Sequence, residues 1–138
     1  MGDPEDMHDA DAVRILHDTI PDAIAVYRFG STVAGPTHAA SDVDLAVLTP
    51  RALDPLQRFD LQERLARALR RNVDLVDLRA ASTVMRMQVI TRGALLAVFD
   101  TAEQERFETY TYSTYARLNE ERKAILEQIE RDKTVYGR

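Results

Sequence analysis

Apolar residues recur along this chain at two different periods. From Asp11 to Ile20, Val13, Leu16 and Ile20 stand three and four apart, which is the spacing of one helical face. Pro21 disfavours helix in the residue before it and predicts the end of that element. Ala23 to Phe29 is a short apolar run, with Ile24, Val26, Tyr27 and Phe29, as in a largely buried strand. Ser31 to Gly35 reads as one helical turn closed by Gly35-Pro36, and residues 36–41 as a polar loop of small residues. Asp42 to Thr49 alternates. Val43, Leu45 and Val47 share one side of a strand, and Asp42, Asp44 and Ala46 share the other.

The helical period returns at 56–71. Leu61, Leu65 and Leu69 form the stripe, with Leu56 and Phe59 extending it and arginines mostly opposite, on a face expected in solvent. Val73 to Leu78 (VDLVDL) predicts a strand carrying two carboxylates. Ser82 suits a helix N-cap. The following helix runs to about Thr91, with Val84, Met87 and Val89 to Ile90 facing inward, and Gly93 fits its stop. Leu95 to Phe99 is a short strand. From about Ala102 to Lys133, Phe107, Tyr110, Thr114, Leu118, Ile125 and Ile129 predict a long helix with an incomplete apolar stripe. Within it TYTYSTY (109–115) alternates as a strand would, with residues of modest helix propensity. The order is helix, strand, strand, helix, strand, helix, strand, long helix. That is an α/β or α+β chain, with too few helices between its first strands for a doubly wound sheet.

Composition adds limits. A chain of 138 residues suits one domain, with a core at about residues 10–100 and a helical tail at about 101–134. No run approaches the ~18 apolar residues of a membrane helix, and the acidic N-terminus lacks the basic and apolar regions of a signal peptide. The first few residues are expected to fray. The absence of cysteine excludes disulfides and thiolate metal sites and is compatible with a cytoplasmic location. A net charge of −5 argues against direct nucleic-acid binding.

The chemistry lies between Val26 and Leu48. Asp42 and Asp44 project from one strand face, and like charges this close are unfavourable without a cation between them. Mg²⁺ takes oxygen ligands together with substrate phosphates, and a third acid would complete a two-metal clamp. Asp74 and Asp77 are the candidates. Being an odd number of residues apart they face opposite ways, so only one can join the site. Gly30-Ser31 follows a strand and opens a turn. Its backbone N–H groups and serine hydroxyl suit phosphate, and glycine permits close approach. Arg28 could either pack its stem at the core edge or aim its guanidinium at that phosphate. Alone, an Asp-x-Asp pair or a Gly-Ser is commonly surface decoration. The combination with a ten-residue gap and a second acidic strand about thirty residues on is what gives them weight.

At these residues the chain resembles the DNA polymerase β-like nucleotidyltransferases, whose signature is Gly-Ser, an intervening segment and Asp-x-Asp. FGSTVAGPTHAASDVDLAVL, with Gly35 and Ser41 in place, is similar to the minimal nucleotidyltransferases, and the likeness continues through VDLVDLRAAS and VITRGALL. The length and helical tail resemble the antitoxins of HEPN–MNT toxin–antitoxin pairs. The resemblance implies a small mixed sheet flanked by helices. It implies Mg²⁺-dependent transfer of AMP, with two ions, from ATP to a tyrosine of a HEPN ribonuclease toxin, which is thereby silenced. It places metal-binding and catalytic acids at Asp42, Asp44 and, best, Asp74, and nucleotide contacts at Gly30, Ser31 and Ser41. Two other functions compete. One is a small-molecule nucleotidyltransferase of the aminoglycoside type, for which the single helix after residue 100 offers little acceptor pocket. The other is a non-catalytic module that occludes a toxin, against which the intact acids argue.

Overall fold

A computed structural model describes residues 4–30 and 42–136; the predicted turn at Ser31 to Gly35 and the loop at 36–41 lie outside the described residues. The elements are α1 (Pro4–Thr19), β1 (Ala25–Phe29), β2 (Val43–Leu48), α2 (Pro55–Leu69), β3 (Val73–Asp77), α3 (Thr83–Arg92), β4 (Ala94–Val98) and α4 (Thr101–Tyr136). Helix α1 begins seven residues earlier than its apolar stripe predicts. Proline is tolerated in a first turn, where its missing N–H has no intrahelical partner.

The four strands form one mixed sheet in the order β3-β2-β1-β4. β1 is antiparallel to both β2 and β4, whereas β2 and β3 are parallel. Each face of the sheet buries its own core. On one face Val26, Val43, Leu45, Val47, Val73 and Leu75 meet Ala12 and Leu16 of α1 and Leu61, Leu65 and Leu69 of α2. On the other, Ala25, Tyr27, Ala46 and Leu48 meet Val89 of α3 and Phe107 of α4. The alternation read from the sequence is therefore the alternation between two helical layers.

Three apolar residues predicted to face inward do not. Leu56, Phe59 and Val84 are exposed. Helical residues turn by about 100° each, which carries Leu56 and Phe59 to the far side of α2 from Leu61, Leu65 and Leu69. Val84 lies similarly far round α3 from Val89. The same turn carries Arg58 and Gln62 onto the inward stripe of α2. There the amide oxygen of Gln62 accepts from the N–H of Leu75 (2.9 Å), and the Arg58 guanidinium donates to the Leu75 carbonyl (3.1 Å). Strand β3 is an edge strand, and these two side chains occupy backbone groups that would otherwise offer a template for pairing.

The segment 109–115 is helical, not extended. Its threonines are accommodated by hydrogen bonds from Thr111 to the Phe107 carbonyl (2.8 Å) and from Thr114 to the Tyr110 carbonyl (2.9 Å). The inward residues of α4 are Gln104, Phe107 and Thr111, spaced three and four apart, so Tyr110 turns outward. Phe107 is buried between the guanidinium groups of Arg79 and Arg86, whose carbons lie 5.4 and 5.3 Å from its ring centre. Both arginines are held in turn by backbone carbonyls, Arg79 by Thr49 and Arg86 by Leu78 and Arg79. Beside them the Tyr27 hydroxyl donates to Glu108 (2.9 Å) and accepts from Gln104 (3.3 Å). Burial pushes this hydroxyl well above its ordinary pKa, so it keeps the proton it donates. No described helix is long and apolar enough to cross a membrane.

Phe107 thus fastens α4 to the sheet layer. Replacing it with alanine is expected to lower unfolding stability by about 3–5 kcal/mol, seen as a shifted urea midpoint with a nearly unchanged slope.

Candidate active site

The acids gather where β1 ends and β2 and β3 begin. In the parallel β2–β3 ladder the register partner of Asp44 is Asp74. Neighbouring strands lie about 4.8 Å apart, so the two carboxylates leave adjacent backbones in the same direction. Asp42 lies two residues before Asp44, just ahead of β2, and is exposed like Asp74. All three belong to the sheet face covered by α3 and α4. The opposite face of both strands is filled by Val43, Leu45, Val73 and Leu75, which fixes the direction of the acids.

The geometry separates Asp74 from Asp77. Asp77 faces the α1–α2 layer and is 5% exposed. Its two carboxylate oxygens accept from the backbone N–H groups of Leu53 (2.7 Å) and Arg79 (3.0 Å). It ties the loop after β2 to the turn after β3 and is committed to that task. Only Asp74 stands beside Asp44.

The crowding is visible at Asp44. Partial burial raises its pKa above the ordinary carboxylate value, and the charges of Asp74 and then Asp42 raise it further. Among the described residues no three acids are drawn together into a closed metal-ligand set. The donor chemistry nevertheless fits a hard cation: oxygen donors on one face whose mutual repulsion a divalent ion would relieve.

Gly30 packs directly against Asp44. Its φ is +85°, a left-handed conformation, and a Cβ placed there would lie 2.0 Å from Asp44 Oδ2. The glycine is required twice, by its backbone angle and by the nearby carboxylate. Phe29, just before it, is the register partner of Asp44 across the antiparallel β1–β2 ladder. A second glycine sets the neighbouring packing: a Cβ at Gly93 would lie 2.7 Å from the Arg28 carbonyl and 2.4 Å from that of Val89. Only glycine lets α3 end this close to β1. Ser31 and Ser41, the other predicted nucleotide contacts, lie outside the described residues.

Arg28 does not join the acids. It sits on the α1 side of β1, opposite Leu45, and its guanidinium pairs with Asp9 of α1 at 3.4 Å. Of the two roles open to it, the structure places it at the core edge. Asp9 as its partner is not legible in the sequence, because the pairing joins residues nineteen apart across two elements.

A profile described as "Polymerase beta, Nucleotidyltransferase" matches residues 12–102. The protein adenylyltransferase MntA of Shewanella oneidensis is 43% identical over 117 residues, covering 85% of this chain and 84% of that protein. Among solved structures, a chain of a toxin–antitoxin crystal structure with AMP-PNP superposes with a TM-score of 0.78. It is 41% identical and the match covers 88% of this chain and 98% of that one. A chain of the complex between tri-AMPylated Shewanella oneidensis HEPN toxin and MNT antitoxin gives 0.74 at 38% identity, covering 90% and 97%.

The raised pKa of Asp44 has a definite sign. The folded state holds this proton more tightly than the unfolded state does. The ionised group therefore detracts from stability at neutral pH, and the loss disappears as pH falls towards about 4, the ordinary aspartate range. In metal-free buffer, Asp44→Asn is expected to raise the melting temperature at pH 7.5. The gain should shrink as pH falls, and melting curves across a pH series measure it.

Proposed function

Because the chain belongs to the polymerase β nucleotidyltransferase family, we propose that it is a protein adenylyltransferase, transferring AMP from ATP to a tyrosine of a HEPN toxin and so acting as the antitoxin of a toxin–antitoxin pair. The observation that carries this reading is the alignment of Asp44 with Asp74 beside Gly30. Two carboxylates on parallel neighbours, with a third two residues away, form a surface for cations and the triphosphate they accompany. The relatives support the acceptor class, since one is named a protein adenylyltransferase and another was solved with a tri-AMPylated HEPN toxin.

In this reading Asp42 and Asp44 would hold two Mg²⁺ ions, with Asp74 as the third acid of the set. When bound, these ions neutralise charge on the triphosphate and acidify the acceptor hydroxyl. The chain's own residues do the rest. Gly30 brings its backbone close to the phosphates, and Ser31 and Ser41 bind them from the connecting segment. Asp74 takes up the proton of the attacking hydroxyl. The tyrosine oxygen bonds to the α-phosphorus as the bond from that phosphorus to the bridging oxygen breaks, and pyrophosphate leaves with that oxygen. Such transfer depends mainly on positioning and charge neutralisation. A cytoplasmic setting would supply the ATP.

With the toxin co-expressed, α-labelled ATP is expected to label the toxin. Asp42→Asn and Asp44→Asn should each reduce that transfer by at least about 100-fold, the scale of losing a transition-state contact. Labelling that survived both substitutions would remove the catalytic assignment. Gly30→Ala should cause a comparable loss, since its methyl group would displace the Asp44 carboxylate; circular dichroism would separate that effect from unfolding.

A further inference from the structure

The second half of α4 leaves the body of the protein. The helix is 36 residues long, about 54 Å at 1.5 Å per residue, and among the described residues its last buried one is Thr111. From Asn119 to Lys133 every residue is exposed, including Ile125, Leu126 and Ile129. With Leu118 these side chains follow a heptad spacing. Leu118, Ile125 and Asp132 repeat every seven residues, and so do Arg122 and Ile129, offset by four. The two rows together are the seam of a coiled coil.

Read against an antiparallel copy of itself, this seam is self-complementary. Placing Ile125 opposite Ile129 of the second copy also places Arg122 opposite Asp132. Both pairings then occur twice by symmetry. On one flank Leu126 meets Leu126, and on the other Gln128 meets Gln128. Within residues 122–132 each apolar position of the seam faces an apolar one, and each charged position meets its opposite. Asp132 accepts from Gln128 of its own helix at 3.0 Å, and its second oxygen remains suited to the arginine of the other copy. A charged layer within an apolar seam costs stability but selects one register and orientation.

We propose that this part of α4 is a homodimerisation surface, on which two copies of the chain pair antiparallel about a two-fold axis near Glu127. The overlap is short beside a standard interface of about 800 Å² per partner, so a weak, reversible dimer is expected. The pairing is independent of the catalytic assignment.

Sedimentation equilibrium of the full chain tests it. Wild type should show a reversible monomer–dimer equilibrium. Ile125→Glu, at an exposed site that leaves helicity and melting temperature unchanged, should be monomeric. Arg122→Asp and Asp132→Arg should each weaken pairing by at least about tenfold through like-charge contacts. The double exchange R122D/D132R should restore it, which neither a general loss of apolar surface nor misfolding would do. A wild-type chain that stays monomeric at the highest concentration at which it is soluble would overturn the proposal. So would a charge exchange that failed to restore pairing. An Ile125→Glu variant whose only defect was loss of HEPN toxin binding would assign the stripe to the toxin instead.

Discussion

A strand in a sheet covered on both faces cannot slip by one residue without turning its apolar side the wrong way. That constraint holds Asp44 against Asp74. Val43, Leu45 and Val47 of β2 and Val73 and Leu75 of β3 are drawn into the core beneath α1 and α2. The residues between them have no choice of direction. At the far end of β2 those residues are Ala46 and Leu48, which pack under α3 and α4. At the near end they are carboxylates. The hydrophobic effect on one face thus places two like charges on the other, and the raised pKa of Asp44 records the opposition between them.

The same economy applies to the elements around the acids. β1 reaches Asp44 with its last residues, and the chain continues beyond them only because Gly30 adopts a left-handed angle with no side chain to collide with the carboxylate. α3 ends against β1 only because Gly93 presents no Cβ to the Arg28 carbonyl. Asp77, which looks equivalent to Asp74 in VDLVDL, is spent on two backbone N–H groups at the opposite end of its strand. A buried carboxylate in that position is useful because it accepts both donors at once, and it would be costly if it did not. Two aspartates three residues apart therefore serve different ends: Asp77 holds loops together, and Asp74 is left exposed beside a like charge.

α4 divides into two stretches with different physics. Its first three turns are anchored by Phe107 between two arginines and by Tyr27 with Glu108 and Gln104. Residues 119–133 of its second half are exposed and carry an apolar seam into solvent. A helix with so little internal packing keeps such a seam for an association or gains nothing from it.

The sequence alone determined the element types and which acids share a strand face. Alternation in DVDLAVL and VDLVDL set which residues share a face, and periodicity located the helices within a few residues, apart from the early start of α1. The proline-, serine- and glycine-marked ends followed from local backbone chemistry, which needs no tertiary information. Alternation also showed that Asp74 and Asp77 could not share a face; family resemblance favoured Asp74, while alternation alone left the choice open. That depended on which face of β3 met α2, a question of packing between elements far apart in the chain. Packing likewise decided that Arg28 turns to Asp9 and that Arg58 and Gln62 cover the edge of β3. In each case the deciding energy is a contact between distant residues, to which a local reading of propensity and pattern has no access.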